Sequence, residues 1–218
     1  MEFRLDRRQL LVAGALLPLA AHAQPPALVE GRDYKPVQPP QPTESGNKIE
    51  VLEFFQYSCP HCYAFNPDLD AWRKKLAPDV DYRRVHINWD NSTLPHTKIY
   101  YSLEQLGKVA EMHEKVFNAI HQGRKRMLDP NEIADLMAAN GIDRKQWLEV
   151  FNSFSTATKA TKAMATWKAY KIDGTPTMAC DGRFLTSPSI VGSRPGSLAV
   201  LDALIQRVRT ERGGSAKK

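Results

Sequence analysis

Cysteine is scarce in this chain: three residues among 218, and an odd number at that. So few exclude a disulfide-stapled scaffold, which needs several pairs in a short sequence. Beside Cys59 and Cys62 there is no second Cys-x-x-Cys and no His-x-x-x-His, so the usual spacing of a complete zinc ligand set is missing. No basic stripe interleaved with aromatics appears. The net charge of +6 therefore reads as a soluble basic protein rather than a nucleic-acid binder. Internal repeats are absent too. The apolar run Leu10–Leu19 is too short to act as a stop-transfer helix.

What is present begins with that run. Arg7 and Arg8 precede it and Ala21-His22-Ala23 closes it, which is the charged, apolar and small-residue order of a secretory signal peptide over 1–23. Asp6-Arg7-Arg8-Gln9-Leu10-Leu11 also has the look of a twin-arginine signal, so both export routes stay open. Export places the mature chain where disulfides persist. The full chain is 42% hydrophobic and 25% charged, a globular composition with material for a core.

Residues 24–47 hold six prolines and read as an extended arm, with room for a short edge strand near Asp33–Val37. Ile49–Phe55 is a β-prone run suited to a central strand covered on both faces. Phe65, Leu69, Trp72 and Leu76 then mark one face of a helix, with a kink expected at Pro67 and a stop at Pro78-Asp79. Val80–Asn88 reads as a second strand, parallel to the first across a βαβ unit spanning 48–91. From 92 to 165 the periodicity is helical throughout: Ile99 to Ile120, a helix capped by Asp129-Pro130 and ended by Asn140-Gly141, a short one after Asp143, and one from about Ser155 to Tyr170. Strand signals return within 166–211. Gly174–Cys180 and Arg183–Thr186 flank Asp181-Gly182, a hairpin pair, and Leu198 to Val208 mark a closing helix. A tail over 212–218 is expected to be disordered.

The chemistry concentrates at Cys59-Pro60-His61-Cys62, where a strand hands over to a helix. Free backbone N–H groups and the helix dipole at that point favour a thiolate. Cys59 should be exposed on the first turn, and Cys62, three residues on, shielded but within reach. The imidazole of His61 adds a donor or cation. Stabilising the thiolate stabilises the reduced form and makes the disulfide an oxidant. A structural disulfide is the plainer alternative, though so short a loop adds little stability.

The combination of Val51-Leu52-Glu53-Phe54-Phe55, Cys59-Pro60-His61-Cys62 and Gly174-Thr175-Pro176-Thr177 resembles the DsbA family of periplasmic thiol:disulfide oxidoreductases, over roughly residues 30–210. The resemblance implies an α/β fold, the thioredoxin fold with an inserted all-helical domain. It implies Cys59 as the attacked sulfur, and Pro60, His61 and Cys62 as its partners. Glu53 falls where relatives carry an acidic residue, and a buried carboxylate there is suited to exchange a proton with Cys62; a solvated edge position is the plain alternative. Arg84, where the family often has lysine, is placed to pair with it. Thr175 and Pro176 would form the substrate-binding loop, with Pro176 cis.

The implied partners are reduced, unfolded exported proteins and a quinone-linked inner-membrane oxidase of the DsbB type. No cofactor and no metal is implied, and the chain is expected to act as a monomer. Cys180 departs from the common two-cysteine pattern and reads as a buried small hydrophobe. His86, His96, His113 and His121 receive no role. The competing readings are a disulfide isomerase or reductase, for which the arm is too short to dimerise the chain, and a metal-binding module built on Cys59, Cys62, His61 and Met178.

Overall fold

The computed structural model describes residues 27–215, so the expected signal peptide over 1–23 lies outside the described residues. Two short stretches of backbone set up the sheet. Ile49–Phe55 (β2) is buried along its whole length and pairs with Val80–His86 (β3) in parallel register, Glu53 opposite Arg84. Its other side pairs antiparallel with Thr177–Cys180 (β4), which continues into Phe184–Thr186 (β5). The arm contributes Lys35–Pro36 (β1) against β5, giving the order β1-β5-β4-β2-β3.

Alternation along β2 divides the core between the two faces of the sheet. Leu52 and Phe54 join the larger cluster, with Ile99, Phe117, Ile133 and Trp147 of the helical block. Val51 joins the smaller, with Phe65, Leu69, Leu201 and Val208. Phe54 and Leu69 are fully buried, each stabilising by about 2–3 kcal/mol.

The helices begin where the sequence supplies caps. Asp129 accepts from Asn131 and Glu132 N–H, Asp143 from Gln146, and Ser153 from Thr156. The block comprises Leu94–Gln105 (α2), Val109–His121 (α3), Pro130–Ala138 (α4), Arg144–Phe151 (α5) and Phe154–Ala169 (α6), preceded by a 3-10 turn at Asn91–Thr93. Its last helix therefore runs past residue 165, the boundary read from the sequence.

Asp181 and Gly182 have φ of 56° and 67°, and Arg183 N–H donates to Cys180 carbonyl at 3.0 Å, a tight hairpin with both central residues left-handed. The arm lies across this turn: Gln41 N–H donates to Gly182 carbonyl at 2.8 Å, and a Cβ on Gly182 would stand 2.0 Å from Gln41 carbonyl oxygen. No larger residue fits there.

The helix after the cysteines, Pro60–Arg73 (α1), passes through Pro67 and ends before the expected stop at Pro78-Asp79. β4 begins only after Pro176. Pro188–Val191 (α7), capped by Ser187, was not legible from periodicity. The closing helix, Arg194–Ser215 (α8), continues through Gly213, where a disordered tail was expected. Among the described residues no helix is long and apolar enough to cross a membrane.

Candidate active site

β2 delivers the chain to the end of the sheet, and Cys59 becomes the N-cap of α1 with extended backbone angles. Pro60 follows at the first helical position, where its missing N–H costs nothing. Cys59 N–H donates to Gln56 carbonyl at 3.0 Å, which closes the turn. The side chain of a cap accepts from the open N–H groups of the first turn, and here that side chain is a sulfur: Cys62 N–H donates to Cys59 Sγ at 3.2 Å. Cys59 is 9% exposed and Cys62 1%. Cys59 is therefore buried rather than exposed as expected, because the Thr175 loop packs against its sulfur, though it remains the less enclosed of the two.

Thr175 arrives from 116 residues away in sequence. The Cys59 thiol donates to its carbonyl at 3.4 Å, and the Thr175-Pro176 bond is cis. Pro176 itself is buried at the edge of this contact. The Cys-x-x-Cys and the Thr-Pro loop therefore form one site.

The hydrogen bond from the Cys62 thiol is the leading cause that draws the Cys59 pKa down from 9.0 to about 5, with further bonds from the Thr175 side chain and the backbone of Cys62 and His61 outweighing partial burial. Burial, followed by the Cys59 sulfur, pushes Cys62 well above the ordinary thiol value. The pair is thus divided into a less enclosed thiolate and a fully shielded thiol. His61 contributes a backbone N–H, while its imidazole lies exposed and makes no hydrogen bond among the described residues. The expected stabilising role of that ring is not carried by a contact here; the backbone and Cys62 supply the stabilisation.

Glu53 is buried, and its carboxylate accepts from Arg84 Nε at 2.8 Å and from the Tyr82 hydroxyl. Arg84 also reaches Asp70 at 2.9 Å. The paired, buried arrangement replaces the alternative of a solvated edge position. Glu53 makes no hydrogen bond to either cysteine thiol. Cys180 is fully buried in the cluster between the sheet and α8, where burial pushes its pKa up to about 12. Among the described residues no group of three or more His, Cys, Asp or Glu side chains is placed to hold a metal ion.

Three histidines without an expected role surround Tyr57, two residues before Cys59. Tyr57 N–H donates to His86 Nε2 at 3.1 Å, its hydroxyl lies 3.0 Å from His113 Nδ1, and its carbonyl accepts from His121 Nε2 at 2.8 Å. The spacing of His113, Phe117 and His121 by four residues put them on one face of α3, and that was the available signal. Its target on another element was not readable.

The chain matches the family model described as DSBA-like thioredoxin domain over residues 50–196. It is 37% identical over 204 residues to the thiol:disulfide interchange protein DsbA of Burkholderia cepacia, covering 93% of this chain and 96% of the relative. It is 39% identical over 202 residues to the DsbA of Bordetella pertussis, covering 92% and 96%. The crystal structure of Pseudomonas aeruginosa DsbA superimposes with a TM-score of 0.82 at 34% identity, covering 88% of this chain and 97% of that one. That of the oxidoreductase DsbA from Xylella fastidiosa gives 0.78 at 29%, covering 84% and 98%. The fold is the thioredoxin fold with an inserted helical block, and the chain belongs to the DSBA-like thioredoxin domain family as a thiol:disulfide oxidoreductase.

Proposed function

We propose that the protein is a periplasmic dithiol oxidase, and that its Cys59–Cys62 disulfide is the one donated to reduced, newly exported proteins. A substrate thiolate attacks Cys59 Sγ. A mixed disulfide forms, the Cys59–Cys62 bond breaks, and Cys62 leaves as a thiolate that takes up a proton. The substrate's second thiolate then attacks the substrate sulfur of the mixed disulfide, and Cys59 departs as a thiolate. Two electrons and two thiol protons leave the substrate, and the enzyme ends reduced.

The observation that carries this reading is the Cys62 N–H that donates to Cys59 Sγ at 3.2 Å at the start of α1, where the Cys59 pKa is drawn down to about 5. A sulfur stabilised as a thiolate is a good leaving group and makes its disulfide oxidising; DsbA proteins are a standard example of such a thiol. Thr175 supports a second part. Its half-buried backbone beside Cys59 lets an extended substrate segment add as a strand, while Pro176 has no N–H to compete. Glu53 serves as the buried carboxylate that exchanges the Cys62 proton through water, since Arg84 cannot release one. Both halves of the site come from a single chain, in keeping with a monomer. Reoxidation falls to a quinone-linked DsbB-type partner in the inner membrane.

The test is the redox equilibrium of the purified protein with glutathione, combined with pH titration of thiolate absorbance. A Cys59 titration midpoint near that of free cysteine rejects the oxidase reading. Cys59→Ser should abolish oxidation of a reduced unfolded substrate, and retained activity would place the site elsewhere.

A further inference from the structure

The residues on either side of the Cys-x-x-Cys are both held by one helix of the inserted block. Tyr57, fully buried, precedes Cys59 by two residues, and Tyr63 follows Cys62 directly. The His121 imidazole touches both. Its Nε2 donates to Tyr57 carbonyl at 2.8 Å, and its ring stacks on the Tyr63 ring with centroids 4.7 Å apart and planes 6° from parallel. The Tyr63 hydroxyl donates to Asn118 Oδ1 at 2.9 Å and accepts from Gln122 Nε2 at 2.6 Å. His113, two turns earlier on α3, meets the Tyr57 hydroxyl.

These contacts act on backbone that the thiolate depends on. Tyr63 N–H makes the first helical bond of α1, to Cys59 carbonyl at 3.0 Å. The peptide held through Tyr57 carbonyl leads through Ser58 into the cap. The N–H groups of His61 and Cys62 that face Cys59 Sγ are therefore aimed by a turn anchored at both ends. Such bonds weaken steeply once misaligned.

We propose that His121 and Asn118 of the helical insertion are positioning residues for the redox site: they hold Tyr57 and Tyr63 so that the first turn of α1 presents its N–H donors to Cys59 Sγ. The insertion then does more than cover the sheet. It sets how strongly the disulfide oxidises, without any of these side chains touching the sulfur. The inference rests on Cys59 being the reactive thiol.

The experiment compares wild type, His121→Ala and Asn118→Ala, with Glu114→Gln on an exposed turn of the same helix as control. Each is titrated by thiolate absorbance and equilibrated with glutathione. Loss of one aligned hydrogen bond corresponds to roughly half to one pH unit in the Cys59 midpoint and to a fall of about fivefold in the oxidising equilibrium constant. Both His121→Ala and Asn118→Ala should show this, and Glu114→Gln should not. If His121→Ala fails to fold, Asn118→Ala decides, since its side chain is only half-buried. Variants that lose melting temperature while midpoint and equilibrium stay as in wild type would make the contacts merely structural and overturn the proposal. An equal shift in Glu114→Gln would overturn it as well. A high Cys59 midpoint in the wild type itself would instead reject the underlying oxidase reading.

Discussion

Glu53 and Arg84 stand opposite each other in parallel strands, 2.8 Å apart, with 1% and 5% of their side chains exposed. A buried pair is costly to break from one side, because the charge left behind has no water. The two sides are unequal here. Among the described residues, Arg84 keeps Asp70 and Asn66 when Glu53 is removed, whereas Glu53 keeps only the Tyr82 hydroxyl when Arg84 is removed. Arg84→Met should therefore destabilise by about 3–5 kcal/mol, and Glu53→Gln by less. The double variant should recover part of the loss. Urea unfolding of the four proteins measures this, and additive single effects would count against a coupled pair.

The same carboxylate allows a separate test of the proton step. With Cys62 held well above the ordinary thiol value, its departure as a bare thiolate is unfavourable and a proton must follow closely. If Glu53 handles that proton, Glu53→Gln should slow mixed-disulfide formation by about tenfold or more at neutral pH and flatten its pH profile. A profile superimposable on wild type removes Glu53 from the proton path and leaves it a structural partner of Arg84.

Much of this was legible in the residues, and what was not has a physical reason. The buried run Ile49–Phe55, the cysteines at a helix start and the Asp181-Gly182 turn are local signals, decided within a few residues. Cys59 was expected to owe its low pKa partly to the imidazole of His61, its neighbour in sequence. The structure shows that ring exposed, and finds the leading partner in Cys62, whose N–H donates to the Cys59 sulfur at 3.2 Å. His86, His113 and His121 appeared dispersed because their common contact, Tyr57, lies in the turn between β2 and α1, far from them in sequence. α7 escaped notice because four residues make barely one turn, and its start depends on the Ser187 cap rather than on any apolar period. Local chemistry can be read along a chain, but convergence of distant elements cannot.

The lowered pKa of Cys59 also predicts how redox state and pH combine in stability. The reduced folded form titrates this thiol at about 5, against 9.0 for an ordinary thiol, so it binds fewer protons than the unfolded chain between those values. Its stability rises with pH across that window and the gain is lost as pH falls through about 5. The oxidised form has no such group. Cys62, with its pKa raised, acts only above the ordinary thiol range. The difference in unfolding free energy between reduced and oxidised protein should therefore move in favour of the reduced form from about pH 5 to pH 8. Denaturant titrations of both forms across that range give the answer, and a constant difference would contradict the assigned thiolate.

Cys180 should behave as the opposite of Cys59. It is fully buried, and burial raises its pKa to about 12, so almost no thiolate is present at neutral pH. Brief alkylation of the reduced folded protein at neutral pH should modify Cys59 alone, with Cys180 reacting only after unfolding. Mass spectrometry of the labelled peptides distinguishes the two. Rapid labelling of Cys180 in folded protein would mean that the cluster beneath α8 opens more readily than its packing indicates.

The buried histidines predict acid sensitivity. Burial holds His86, His96 and His113 below the ordinary value of 6.5, with nearby His96 adding to the effect at His86, and Arg84 at His113. His86 has a further reason to remain neutral: its Nε2 accepts from Tyr57 N–H while Nδ1 lies 2.9 Å from Thr97 Oγ1, so a proton on Nε2 would remove an acceptor that Tyr57 needs. Above 6.5 these imidazoles are neutral in both states and the full stability is present. As pH falls below 6.5 the unfolded chain takes up protons that the folded one resists, and stability drops by up to about 1.4 kcal/mol per pH unit for each histidine. Unfolding midpoints measured between about pH 7 and pH 4 should therefore fall steeply. His113→Gln should remove roughly one third of the histidine contribution to that slope, whatever it does to stability at pH 7. An unchanged slope in the variant would show that His113 is protonated in the folded protein as readily as in the unfolded one, which its burial against Phe55 and Phe117 argues against.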